Sequence, residues 1–494
     1  MASRPESFPH RAAETSPLVL GLDIGTTTIT CLAWEPGSGQ VVVVGTVDNQ
    51  TETTSRASRE RGHSEWDSQQ MLETAYRCVA DVVAQLGLRS RDVVGLGLTG
   101  QQHGVVVVDE ELVPLTPFIG WRDQRGNEPL TEGGRSTVDE MLTRLGDGAS
   151  ERLGCRPATG YLGTTLYWMQ RTSCLPPRGK ACFIVDLFAA VLTGSAVQTD
   201  PTNAGGSGLL NLANRQWDVQ ALELLEIERH WLPDICEAPT RAGRLNDRSA
   251  ALTNLPRGLP VMVGIGDNQA AFLGSVADRS ESILVNVGTG GQVAMYSDEV
   301  VTVPLLETRP FPGMGNLLVH AGLCGGRSYA ALELFFREVG GQILGVDQVT
   351  PCYSAMLDAA EQVADGSGGV VCSPFFTGTR SDPHLRASWS GLSPENLTPG
   401  HLTRALLEGM ANAFAGSGHL IFETTGRAAT QVVGAGNGLR ENRLLASLVA
   451  DAFDLPMVVA RYREEAGLGA ALVAAAGVGI CDDLQAASQA VKFN

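Results

Sequence analysis

The sequence predicts an α/β protein of two domains built to one design, and three observations carry this. Segments with strand patterning alternate with segments of helical periodicity from Leu18 onward. The 494 residues, 43% hydrophobic and 18% charged, suffice for two cores and are too apolar to stay disordered. Residues 22–33, LDIGTTTITCLA, are echoed by residues 285–296, VNVGTGGQVAMY. Both read apolar, Asp or Asn, apolar, Gly, Thr, two small residues, then a strand, and such an echo implies a repeated unit.

Residues 1–16, rich in Ser, Pro, Arg and Glu, read as a disordered tail outside the fold; they lack the apolar run of a secretion signal, and Glu6 and Glu14 argue against a transit peptide. LVLGLDIG, ITCLAWE and VVVVGTV are three consecutive strands, joined by TTT and by PGSGQ. A polar stretch, residues 51–62, leads to a helix over residues 67–86 with apolar positions at helical spacing. VVGLGLTG is a short buried strand, residues 131–253 mix helices and loops, and LPVMVGIGD is a strand ending in Gly266 and Asp267, after which NQAAFLGS starts a helix. GLGAALVAAAGVG near the C-terminus is a helix whose glycines favour close packing.

No apolar run approaches the roughly 18 residues of a membrane helix. A formal charge of −18 and a pI of 4.9 argue against nucleic acid as a partner, because backbone binding needs clustered Lys and Arg. An anionic ligand must then be held locally, by backbone N–H groups, helix N-termini or a metal ion. Ten cysteines without a C-x-x-C pair fit a reducing compartment, and the expected location is cytoplasmic.

The two hairpins suit a polyphosphate. Glycine at a tight turn brings the backbone close to a ligand, successive N–H groups point outward, and a threonine hydroxyl adds a donor. Two such turns could grip the β- and γ-phosphates from opposite sides, with Asp23 holding hydrated Mg²⁺. The alternative is that Thr26, Thr27 and Thr28 are β-branched strand formers and Asp23 caps a turn.

GLDIGTTT, GQQHG, GWRDQR, GIGDNQAA, NVGTGG, GTRSDP and GAGNGLREN occur in the order expected of the FGGY carbohydrate kinases, and the chain resembles that family from about Leu18 to Gly479. The resemblance implies two ribonuclease H-like, actin-type ATPase domains with an interdomain cleft, residues 17–265 on the sugar side and 266–494 on the nucleotide side. It also implies transfer of the γ-phosphoryl group of MgATP to a sugar hydroxyl, with ATP and Mg²⁺ as cofactors; the placement of the acids and hairpins on separate halves of the chain predicts that sugar binding closes the domains, and a homodimer is one assembly expected. Within the family the motifs are most similar to the sedoheptulokinases, which phosphorylate a terminal primary hydroxyl, and next to the xylulokinases. Gln102 departs from both, standing where each usually carries methionine.

On this resemblance Asp267 is the general base, Asp23 the metal-side acid, and both are metal candidates. Asp267 could equally be a helix N-cap by its position before a helix. Thr26 and Thr27 form one phosphate loop; Gly288, Thr289 and Gly290 form the other. Gln102, His103, Trp121, Asp123, Arg125, Asn203 and Asn268 are expected at the sugar, with the indole against C–H groups and the charged pair on hydroxyls. A loop salt bridge beside a core tryptophan is the structural alternative for Trp121, Asp123 and Arg125. Gly434, Gly436 and Asn442 are expected beside the adenosine, at a strand-to-helix turn that does not fit a dinucleotide fingerprint. Two other classes stay open. An actin-like ATPase would keep both hairpins without GQQHG and GWRDQR, and a sugar sensor would lose Asp23 or Asp267; here all are present.

Overall fold

The computed structural model describes residues 16–131, 133–346, 350–379, 382 and 384–494. Residues 1–15 of the expected tail, and positions 380, 381 and 383 of the GTRSDP motif, lie outside the described residues.

Two mixed sheets carry the fold. In the first, Leu18–Ile24 (β1), Thr28–Glu35 (β2) and Gln40–Asp48 (β3) form an antiparallel meander. Val93–Gly100 lies parallel to β1, and Pro260–Met262 and Ile265–Gly266 lie parallel beyond it. In the second, Ser282–Val287, Gly291–Ser297 and Asn316–Leu323 repeat the meander. Gln431–Ala435 and Met457–Val459 follow in parallel, and Glu307–Pro310 is added at the outer edge. The five central strands have the same order and sense in both, the first sheet adding Arg241–Arg244 at the opposite edge, so the echo in the sequence is a repeat in the structure. Asp23 pairs with Thr30 and Thr99, and its counterpart Asn286 with Gln292 and Ala435.

The helix Ser68–Leu86 is capped by Asp67, which accepts from Gln70 N at 3.0 Å, and buries Met71, Ala75, Cys78, Val79 and Val82 against the meander. The polar stretch before it contains a short helix, Arg56–Glu60, with no buried residue. The single strand expected from LPVMVGIGD is divided in two. The ladder is interrupted because Val263 N donates to Thr240 O at 3.0 Å and Gly264 O accepts from Asn203 Nδ2 at 2.9 Å.

The Ala-rich helix Glu465–Gly477 follows the second sheet in the chain yet packs on the first. A Cβ on Gly21 would sit 1.9 Å from Gly467 O, on Gly97 1.8 Å from Ala470 O, and on Gly469 1.9 Å from Ala270 O. Glycine is required there because backbone meets backbone. The helix Asp267–Ser275 is the third member of this contact, and one apolar core runs from Val19 and Leu32 through Ile265 and Leu468 to Leu284 and Val433.

Candidate active site

Three adjacent strands of the first sheet end level with one another: Ile24 is beside Gly100, and Gly100 is beside Gly266. Thr99 Oγ1 ties the third strand to the second by donating to Ile265 O at 2.9 Å, and Gln101 N donates to Ile24 O at 3.0 Å. The segments that leave these ends, 25–28, 101–104 and 267–268, therefore emerge side by side. Ligands of open α/β sheets sit at such carboxyl ends.

The first hairpin is closed by Gly25 N donating to Thr28 O at 3.0 Å, and Asn49 clamps it from behind, its N on Thr27 O and its Nδ2 on Gly25 O, both at 2.8 Å. Thr27 is exposed. Thr26 Oγ1 donates to Gln101 Oε1 at 3.1 Å and accepts from Trp121 Nε1 at 2.9 Å. In the second hairpin Gly288, Thr289 and Gly290 are all exposed. Gly326 N and Arg327 N, opening the helix Gly326–Glu338, hold Gly288 O at 2.9 Å and Thr289 O at 3.0 Å.

Burial raises the Asp23 carboxyl from 3.8 to about 7, and the negative charge of Asp267 adds to this. Asp23 Oδ1 has no hydrogen-bond partner. Asp267 is pushed up to about 6 by burial, against the pull of the Asn268 and Gln102 N–H groups and of Arg309. The N-cap position belongs to Gly266; Asp267 is the first helical residue, and its Oδ1 accepts from Asn268 N at 2.7 Å. Two neighbouring buried acids, one with an unpartnered oxygen and resisting ionisation beside the other, make a donor set that fits a divalent cation.

A carboxyl whose pKa is higher folded than unfolded stabilises the fold most at low pH, and that stability is lost as pH rises from about 4 towards 7. Asp23→Asn should therefore raise the unfolding free energy of the ligand-free protein at pH 8 by about 2–4 kcal/mol and leave it nearly unchanged at pH 4. Urea unfolding at the two pH values checks this, and equal effects at both would refute it.

On the sugar side, His103 adopts a left-handed backbone with φ of 66°, its Nδ1 is 2.6 Å from Gly206 O, and its ring stacks on Tyr161 at 4.1 Å. Gln102 Nε2 donates to Thr202 O at 2.9 Å. His103, Tyr161 and Trp121 line a cleft of about 890 Å³ whose other wall, including Glu307, His320 and Ala321, comes from the second lobe. Asn203 Oδ1, Asn268 Oδ1 and Gln101 Nε2 are buried without partners. Buried polar atoms of this kind call for a partner, which a bound water or a ligand would supply.

Asp123 and Arg125 do not face the cleft as a hydroxyl-binding pair. Asp123 is fully buried, accepting from Ser64 N at 2.8 Å and from Arg125 N and Nε at 2.9 and 2.8 Å. Arg125 also binds Glu65 and lies over Trp168, 4.9 Å from its centroid. This is the salt-bridge alternative, except that the tryptophan beside it is Trp168, while Trp121 is 44% exposed. Burying the pair costs desolvation, which the bidentate contact and the added hydrogen bonds from Ser64 N and to Glu65 offset.

On the nucleotide side, Gly436 has φ of 79°, and a Cβ there would lie 2.5 Å from Val287 O, so it abuts the second hairpin. Gly434 lies within its strand against Met457, and Asn442 caps the helix Arg443–Phe453 through Leu445 N at 2.9 Å. Sequence reasoning missed Gln101 and Tyr161. Gln101 precedes a more conspicuous glutamine, and only the stack on His103 brings Tyr161 forward.

The N-terminal domain model of the FGGY family of carbohydrate kinases matches residues 18–274, and the C-terminal domain model matches residues 284–478. The chain belongs to this family. Human sedoheptulokinase is 30% identical to this FGGY kinase over 490 residues, covering 92% of this chain and 97% of the relative. The xylulose kinase of Lactococcus lactis is 25% identical over 483 residues, covering 96% and 90%. The crystal structure of xylulose kinase from Rhodospirillum rubrum superposes on the FGGY kinase with a TM-score of 0.81 at 25% identity, over 97% of this chain and 93% of that one. The two repeated sheets are thus the paired domains of the ribonuclease H-like, actin-type ATPase fold. Among the described residues no helix is long and apolar enough to cross a membrane.

Proposed function

We propose that this kinase transfers the γ-phosphoryl group of MgATP to a primary hydroxyl of a ketose, with sedoheptulose to sedoheptulose 7-phosphate as the first choice and xylulose as the second. The observation that carries this is the level ending of three strands, which sets Asp267 beside the first hairpin and beside Gln102 and His103. The similarity to human sedoheptulokinase supports the choice of sugar.

In this reading the N-terminal lobe holds the sugar and the C-terminal lobe most of the nucleotide. Phosphoryl transfer needs an aligned nucleophile and compensation of charge more than covalent help. Asp267 takes the proton of the acceptor hydroxyl as that oxygen bonds to the γ-phosphorus, and the bond from phosphorus to the β-bridging oxygen breaks to release ADP. Thr26, Thr27 and the 288–290 turn present donors to the phosphates. Gly436 shapes the nucleotide side of the second turn. His103 and Trp121 set the sugar against the wall, and Asn203 and Asn268 offer their unpartnered oxygens to its hydroxyls. Asp23 and Asp267 would hold Mg²⁺, which when bound neutralises charge on the phosphates.

An ADP-release assay over sedoheptulose, xylulose, ribulose, glycerol and rhamnulose tests the reading. Selective turnover of one ketose supports it, and no sugar-dependent release with any of them overturns it. A further outcome concerns the indole. Trp121→Phe keeps the aromatic face and removes the N–H that fixes Thr26, so kcat/KM for ATP should fall about threefold to tenfold, the value of one hydrogen bond. An unchanged value would separate the indole from the phosphate loop.

A further inference from the structure

The edge strand Glu307–Pro310 belongs to the C-terminal sheet, pairing with Asn316–Leu323, but it is fastened to the other lobe. Thr308 N donates to Gly154 O at 3.1 Å, Gln269 Nε2 donates to Pro310 O at 3.0 Å, and Arg215 reaches Phe311 O at 2.9 Å just beyond the strand. Alternation along the strand puts Glu307 and Arg309 on one face. That face closes a hollow of about 10 Å³, room for one hydroxyl or water, whose other walls include Gln102, His103, Tyr161 and Thr202 and which shares His103, Tyr161 and Glu307 with the larger cleft. The Arg309 side chain is 13% exposed; its Nε and Nη2 both donate to Glu307 Oε2, at 2.9 and 2.5 Å, and Nη1 takes no part in that pair. Arg309 also draws the Asp267 carboxyl downward, so the guanidinium stands within the field of that acid.

We propose that Arg309 is a specificity-determining residue for the acceptor, supplied by the C-terminal lobe, which donates to one hydroxyl of an uncharged sugar that reaches from the cleft into this hollow, while Glu307 fixes and neutralises it. This rests on the sugar-kinase reading of the same site. A guanidinium already paired with a carboxylate presents N–H groups without net charge, which suits a polyol. A sugar acid would bring its carboxylate towards Glu307 and Asp267, and the repulsion rejects it.

The test begins with the wild-type sugar preference, so that failure of the kinase reading is seen first and separately. Arg309→Gln should raise KM for the preferred ketose about tenfold or more, with KM for ATP and the melting temperature nearly unchanged, and Arg309→Lys should recover part of the loss. Calorimetric titration with the ketose alone reads the same contact without turnover. Glu307→Gln, which frees the cation, should shift the ratio of gluconate to ketose binding towards gluconate by about tenfold. An unchanged ketose affinity in Arg309→Gln, or an equal rise in both KM values, would overturn the role of Arg309. An unchanged selectivity ratio in Glu307→Gln would overturn the role of its partner.

Discussion

Asp267→Asn is expected to lower kcat by about 10²- to 10⁴-fold, the range for loss of a general base, while KM for ATP changes by less than about twofold. The amide preserves size and can still accept from Asn268 N, but it cannot take the proton of the acceptor hydroxyl. In the parent enzyme the same group should set the acid limb. Asp267 titrates at about 6, and only its ionised form is a base, so kcat/KM should rise with pH through that region and level off above it. That limb should be lost from the residual activity of the variant, and any acid limb that remains belongs to Asp23, raised to about 7. Steady-state kinetics across about pH 5 to 9, with nucleotide titration calorimetry, checks both statements; near-normal turnover would remove Asp267 from the role.

The second large effect is on stability. In Gly97→Ala the new Cβ would lie 1.8 Å from Ala470 O and 2.6 Å from Ala470 C, in the backbone of a buried helix that has no room to yield. A loss of at least about 3 kcal/mol is expected, beyond ordinary overpacking because the obstacle is main chain. Gly416→Ala is the matched control. It lies inside the helix Pro399–Thr425 with nothing within 4 Å of the added carbon, so removing its backbone freedom should stabilise by about 0.5–1 kcal/mol. Denaturant midpoints of the two variants decide it, and like-signed shifts would contradict the backbone contact.

The difference between these glycines also shows what a sequence carries. The hairpins were legible because a tight turn needs Gly and Thr at fixed offsets, and the repeat was legible because the offset recurs. Helix Ser68–Leu86 was legible from its period and from Asp67. What lay beyond reading was set by distant partners. Gly264 interrupts a strand because Asn203, 61 positions away, takes its carbonyl. Asp123 turns inward because Ser64, 59 positions away, offers an N–H. Glu307 and Arg309 read as an ordinary edge strand until the fold lays them against Gln102, His103 and Tyr161. Local pattern specifies turns and periods; it does not reveal which loops meet.

The glycine seam joining Asp267–Ser275 to Glu465–Gly477 has a mechanical consequence. Bare backbone meets bare backbone at Gly21, Gly97 and Gly469 alike, so the C-terminal helix is clamped between the first sheet and Asp267–Ser275 and fixes the root of the helix that Asp267 opens. Asp267 is the first residue of its helix, three positions before Ala270, where that backbone contact is made.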